Sequence, residues 1–340
     1  MTQSTEQYFG IDVVKFLMAL CVVAIHLPVY YLTDDPAGIY PPAFDWFIAL
    51  GVPFFFACSG FLTAGRLDSI PEAGKGREAY LTSRAVRLLK ILLYWNLIYL
   101  PLTVAECVHL EIPFRRAVAE NLAALFTEGH SFASYVLWYV YALAITLGLL
   151  ALTCRRRWLT ALLALAFALV TVGVRLYAGQ MQQTAAGTLL FNFASTALGG
   201  GLFFFSGFYL SRMEIWRKSA PFWRKSAPLC LAVVALAASH YAFDHAIRFN
   251  RLIGGFALVC AALALSAFCR PSGASLLLRR LSMWVYFLHP MVLMFLFRCL
   301  KLDALCTPAV ALAVAMAATT ALAACALRLS DYCPKLKKLV

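Results

Sequence analysis

Charged side chains are what this sequence is poorest in: they make up 13% of its 340 residues, against about a quarter in soluble domains. Hydrophobic residues make up 63%, and the mean hydropathy is +0.79. No water-soluble core could bury so much apolar sequence, so a lipid bilayer must solvate much of it, and soluble enzyme classes are excluded. The opening Met1-Thr-Gln-Ser-Thr-Glu-Gln7 also lacks the basic region and small-residue cleavage site of a signal peptide, so the first apolar run reads as a retained span. No Gly-x-Ser-x-Gly elbow surrounds Ser59, which reads as a small-residue contact beside Gly60. The six histidines show no metal-ligand spacing, and no metal is expected. The eleven cysteines show no paired spacing, and most, such as Cys21, Cys58, Cys260 and Cys325, read as small apolar residues within spans.

What is present is a series of apolar windows about twenty residues long. They predict an all-α polytopic membrane bundle of about ten helices, at 9–31, 44–64, 86–105, 135–154, 158–177, 188–211, 227–243, 252–270, 281–300 and 307–328. No connection is long enough for a separate soluble domain, so residues 1–340 read as one transmembrane domain. Most of the 29 Lys and Arg residues fall in alternate connections, at 66–90, 155–157, 212–225, 270–280 and 328–338. The positive-inside rule then places both termini in the cytoplasm. That placement also accounts for the net charge of +13 without a nucleic-acid partner.

The outward connections are relatively acidic, with Asp34, Asp35, Glu106, Glu111, Glu120 and Glu128. The longest of them, 106–134, has room for an amphipathic surface helix around Arg115 to Leu125. Two repeats stand out. Phe54-Phe-Phe-Ala-Cys-Ser-Gly-Phe-Leu62 recurs loosely as Phe203-Phe-Phe-Ser-Gly-Phe-Tyr-Leu210, a match that phenylalanine-rich spans also produce by chance. The tandem Trp216-Arg-Lys-Ser-Ala-Pro and Trp223-Arg-Lys-Ser-Ala-Pro reads as an interfacial anchor on the cytoplasmic leaflet.

Polar residues inside the spans carry the chemistry. Lys15 and His26 lie in the first span, and ionisable groups there are costly enough to be rare unless pairing or function retains them. At 100° per residue, the step between them leaves the side chains about 20° apart on one face and roughly 16 Å apart along the axis. Asp12 lies one turn before Lys15 on the same stripe. A neutral imidazole at His26 can take a proton from a hydroxyl or carry an acyl group briefly; helix packing is the alternative role. Arg84 and Arg87, with Lys90 a turn further on, can hold a pyrophosphate bidentately or can snorkel to headgroups. His289 precedes Pro290, which cannot donate to the helix ladder and would leave a carbonyl unbonded beside the histidine.

Five motifs in order resemble the membrane-bound acyltransferase family 3, integral-membrane enzymes that O-acylate bacterial surface glycans. They are Lys15 to His26 at the Arg-x10-His position with Asp12 three residues before it, Phe55-Phe-x-x-Ser-Gly-Phe-Leu62, Arg84-x-x-Arg87, Leu137-Trp-Tyr-x-x-Ala-Leu143 and Tyr286-x-Leu-His-Pro290. The resemblance covers nearly the whole chain. Its N-terminal sequence is similar to the branch holding enterobacterial common antigen acetyltransferases and the membrane domains of vancomycin-resistance serine racemases. It implies acetyl-CoA as the acyl donor from the cytoplasmic side, an envelope glycan or lipid-linked sugar as acceptor, and a bacterial inner-membrane location. It further implies that His26, with Lys15 and Asp12, is catalytic, and that Arg84, Arg87 and Lys90 bind the phosphates of CoA. His289, Tyr286, Ser59 and Trp138 become candidates for substrate binding. Lys15 departs from the family arginine and keeps the charge without the planar fork. A transporter or flippase for a small polar solute, and a noncatalytic membrane subunit, are the competing readings; a homodimer is left open.

Overall fold

In lipid, each backbone N–H and C=O has to find its partner within its own segment, and a helix provides that. The structure, a computed structural model, describes residues 8–30, 39–71, 74–213, 221–241, 249–268, 273–333 and 335–339, and they are all-α with no strand. The helices in chain order are α1 (Phe9–His26), α2 (Pro42–Ile48), α3 (Gly51–Asp68), α4 (Gly76–His109), α5 (Phe114–Thr127), α6 (Trp138–Thr153), α7 (Arg157–Leu176) and α8 (Ala178–Met181). They continue with α9 (Ala185–Ala197), α10 (Gly201–Arg212), α11 (Pro221–Tyr241), α12 (Phe249–Phe268), α13 (Gly273–Met294), α14 (Leu302–Leu305) and α15 (Pro308–Tyr332). Asp34, Asp35 and the Trp216 to Lys225 anchor side chains lie outside what the structure describes.

Among the described residues, nine helical stretches are long and apolar enough to cross a membrane. The seventh expected span, 227–243, corresponds to α11, whose apolar part Ser226–His240 is shorter. The third expected span, 86–105, is part of a longer element, since α4 runs unbroken for 34 residues. At 1.5 Å per residue that is about 51 Å, against a hydrocarbon thickness of about 30 Å. Its basic N-terminal end carries Arg77, Arg84 and Arg87. The expected amphipathic helix is α5; none of its residues is buried, and Arg116 pairs with Glu120 at 2.7 Å on its exposed face.

The described chain forms two compact units, one of residues up to Phe61 and from Ser206 to Lys338, the other of Leu62–Phe205 with Leu339. In the first, α1 packs against α12 and α13, and α13 packs against α15. The contacts depend on small residues. Gly10 donates its N–H to Ser266 Oγ at 2.9 Å and has no room for a side chain against Ala262 and Leu265. On α15, Ala311, Ala315, Thr319, Ala323 and Leu327 recur every fourth residue as one buried stripe. α11 and α12 form an antiparallel pair, closed by Ser239 donating to the Asn250 carbonyl at 2.6 Å.

The two phenylalanine repeats meet in this unit. Gly207 of the second lies so close to the Ala57 carbonyl of the first that a Cβ would collide with it. Glycine is used there for the close approach of two helix backbones.

The second unit is closed by a polar network along the C-terminal half of α4. Asn96 Oδ1 accepts from the Ser131 amide at 3.2 Å and from Ser134 Oγ at 2.7 Å, while Thr103 and Ser131 share a hydrogen bond of 2.9 Å. At the N-terminal end of α4, Glu78 pairs with Arg155, and near the middle of the helix Trp95 donates to the Leu339 carbonyl at 2.7 Å.

Substituting Gly207→Ala is expected to lower stability by about 1–3 kcal/mol, the usual cost of overpacking. Gly148→Ala, where nothing lies within 4 Å of the added Cβ, is expected to be neutral or stabilising by up to about 1 kcal/mol. Thermal unfolding of both variants in detergent checks the pair; equal effects would remove the close contact from the account.

Candidate functional site

The seam between α1 and α13 holds the buried Asp12 and His289 of the first unit. It has three levels. At the first, Asp12 is 1% exposed and accepts two parallel hydrogen bonds from Arg279, Nε to Oδ1 at 2.7 Å and Nη2 to Oδ2 at 2.9 Å. Bidentate Arg–carboxylate geometry of this kind gives both energy and orientation. The Lys15 ammonium lies beside the thiol of Cys58 on α3, with Asp12 and Arg279 also near that thiol. Cys58 is fully buried and its neighbour Ser59 is half-buried.

The second level is a pair of histidines. His26, the last residue of α1, and His289 of α13 stack with ring centroids 5.4 Å apart and planes 19° apart. His289 is fully buried, whereas His26 keeps partial exposure. Tyr286 lies beside the pair, its ring 6.2 Å from that of His289. At the third level Tyr30 stacks on Phe297 at 5.3 Å, within the π turn Phe295–Cys299 that follows α13. A π turn holds an extra residue and so rotates the side chains beyond it, and such turns are frequent at functional sites.

These levels fix the direction of both helices. Asp12 and Arg279 lie toward the two N-terminal ends and His26 and His289 toward the C-terminal ends, so α1 and α13 run parallel. Parallel spans need an odd number of crossings between them. Six stretches of membrane length lie between, and α11 supplies the seventh.

The structure therefore places His26, His289, Tyr286, Asp12, Lys15 and Ser59 in one unit, but in two layers. Lys15 and His26 share a helix face, yet buried Met18, Ala19, Val22 and Val23 intervene. The expected phosphate-binding residues Arg84, Arg87 and Lys90 are all exposed on α4 in the second unit. Arg84 donates to the Tyr80 hydroxyl at 3.0 Å and lies 5.7 Å over its ring. Trp138 is the first residue of α6 in that same unit and is half-buried.

Arg279 is the residue at this seam that motif reasoning passes over, because it counts there only as one more positive-inside charge. A buried acid in the first span demands a cation, and Arg279 precedes His289 by ten residues much as Lys15 precedes His26 by eleven. Cys58 carries no sequence signal that separates it from a packing residue.

Comparison with known proteins gives one result: the model of a family described as an acyltransferase domain matches residues 8–328. No curated protein and no solved structure matches.

Removing one partner of a buried pair costs about 3–5 kcal/mol, because the other charge is left unpaired. Arg279→Ala strands the buried Asp12, whereas Asp12→Asn leaves an arginine that is 38% exposed. Arg279→Ala is expected to lower the unfolding midpoint in detergent further than Asp12→Asn, with Arg279→Lys between them. The reverse order would mean that Asp12 is not dependent on the fork.

Proposed function

The chain belongs to the acyltransferase family whose model spans residues 8–328, and we propose that it is a transmembrane O-acetyltransferase of the bacterial inner membrane. It moves acetyl from CoA on the cytoplasmic side to a hydroxyl of an envelope glycan or lipid-linked sugar. The observation that carries this reading is the histidine pair, in which His26, the last residue of α1, stacks on the buried His289 of α13.

In this reading the acceptor hydroxyl gives its proton to His26 as its oxygen attacks the thioester carbonyl. The C–S bond breaks, CoA leaves as thiolate, and the imidazolium of His26 returns the proton to that sulfur. General-base assistance of this type contributes about 10²–10⁴-fold. Arg84, Arg87 and Lys90 supply three exposed cations on the overhanging end of α4, suited to the phosphates of CoA. Arg279 and Asp12 have a positioning role, fixing α1 against α13 so that the histidines meet.

Vesicles carrying the purified protein, labelled acetyl-CoA and an envelope glycan fraction provide the test. His26→Ala is expected to reduce transfer at least 100-fold with CoA binding retained. The double variant Arg84→Ala, Arg87→Ala is expected to weaken CoA binding about tenfold or more, since hydrogen bonds to charged groups contribute about 1.5–3 kcal/mol each. Full transfer by the His26 variant would sink the assignment, and unchanged CoA binding by the double variant would remove the clamp.

A further inference from the structure

His289 has a fixed tautomer. In a regular helix the N–H of residue 290 would bond the carbonyl of Tyr286, but Pro290 has no N–H to give. His289 Nδ1 takes that carbonyl at 2.7 Å and also lies 3.2 Å from the Val285 carbonyl. A carbonyl only accepts, so Nδ1 carries the proton and Nε2 is left with its lone pair. Nε2 is buried and has no hydrogen-bond partner in the structure. Leaving a buried acceptor unmatched costs about 1–3 kcal/mol, so a group retained in this state calls for a partner outside the chain.

His26 is not that partner through a proton of its own. Rings with planes 19° apart and centroids 5.4 Å apart stack on their faces, whereas an imidazole hydrogen bond lies in the ring plane.

We propose that His289 Nε2 is an acceptor-only subsite that takes a hydrogen bond from a hydroxyl of the ligand on which His26 acts. The inference rests on the acyl-transfer reading for the identity of that ligand and deepens it by stating its chemistry. The group facing His289 is an O–H donor, such as a second hydroxyl of a sugar. A phosphate diester or carboxylate oxygen has no proton to offer and is rejected there. His26 acts on the reacting hydroxyl, and His289 holds its neighbour.

The test uses the full-length protein labelled with ¹⁵N-histidine, with His289 assigned by comparison with a His289→Gln sample. The Nε2 resonance is expected to be that of an unprotonated nitrogen. It is expected to shift when octyl glucoside, whose headgroup is a polyol, replaces an alkyl phosphocholine, whose headgroup only accepts. A protonated Nε2, a response to phosphocholine equal to that to octyl glucoside, or a response to neither overturns the proposal. Pro290→Ala restores an N–H that competes for the Tyr286 carbonyl, and a mixture of tautomers is expected; an unchanged tautomer overturns the lock.

In transfer assays His289→Gln, which keeps an acceptor near the same place, is expected to stay within about tenfold of the parent. His289→Ala is expected to raise the acceptor KM at least tenfold, with the KM for acetyl-CoA unchanged; parallel changes in both constants count against the subsite. The spectroscopic arm involves no acyl transfer. Loss of transfer in His26→Ala beside an unresponsive His289 would therefore sink this inference and leave the acyltransferase reading standing.

Discussion

Asp12 is the group to which the rest of the first unit has to conform. A carboxylate surrounded by hydrocarbon is tolerated only with a matched cation, and here that cation arrives on α13 in a two-pronged contact. The fork permits little sliding or rotation, so the register of α1 on α13 is set at this point. Gly10 then allows α12 to close against the same end of α1, with Ser266 accepting its amide proton. The histidine stack follows from this register, because helices fixed in parallel at one end meet again at the other.

The seam also separates two kinds of polarity that a linear sequence shows as one stripe. The Asp12, Arg279, Lys15 and Cys58 layer is built on a matched pair, Asp12 with Arg279. The histidine layer is not. His289 satisfies one nitrogen on the backbone and leaves the other unmatched. A matched layer holds helices together, and an unmatched one has capacity left for a ligand. In the proposed reading the first layer orients the helices and the second carries the chemistry.

Much of this was legible in the residues themselves. Apolar windows located the spans, because a bilayer imposes a length on any helix that crosses it. The Pro290 substitution in the helix ladder announced an unbonded carbonyl beside His289, and the structure shows what takes it. The true length of α4 was not legible, since the hydropathy signal ends before the helix does, while Leu81 and Ala85 beyond it remain buried. Arg279 was hidden because its partner is remote in sequence, and no periodicity connects residues so far apart. The meeting of Gly207 with Ala57 was hidden for the same reason, although both lie in copies of one phenylalanine-rich pattern.

The distance along the chain between Asp12 and Arg279 is 267 residues. At synthesis rates of about 5–20 residues per second, roughly 13–53 s separate the emergence of the acid from that of its counter-charge. Throughout that interval the nascent first span has to keep Asp12 at the water interface or shielded by the insertion machinery. Biogenesis therefore has a late checkpoint: α1 reaches its final seat only after 279 of the 340 residues have been made.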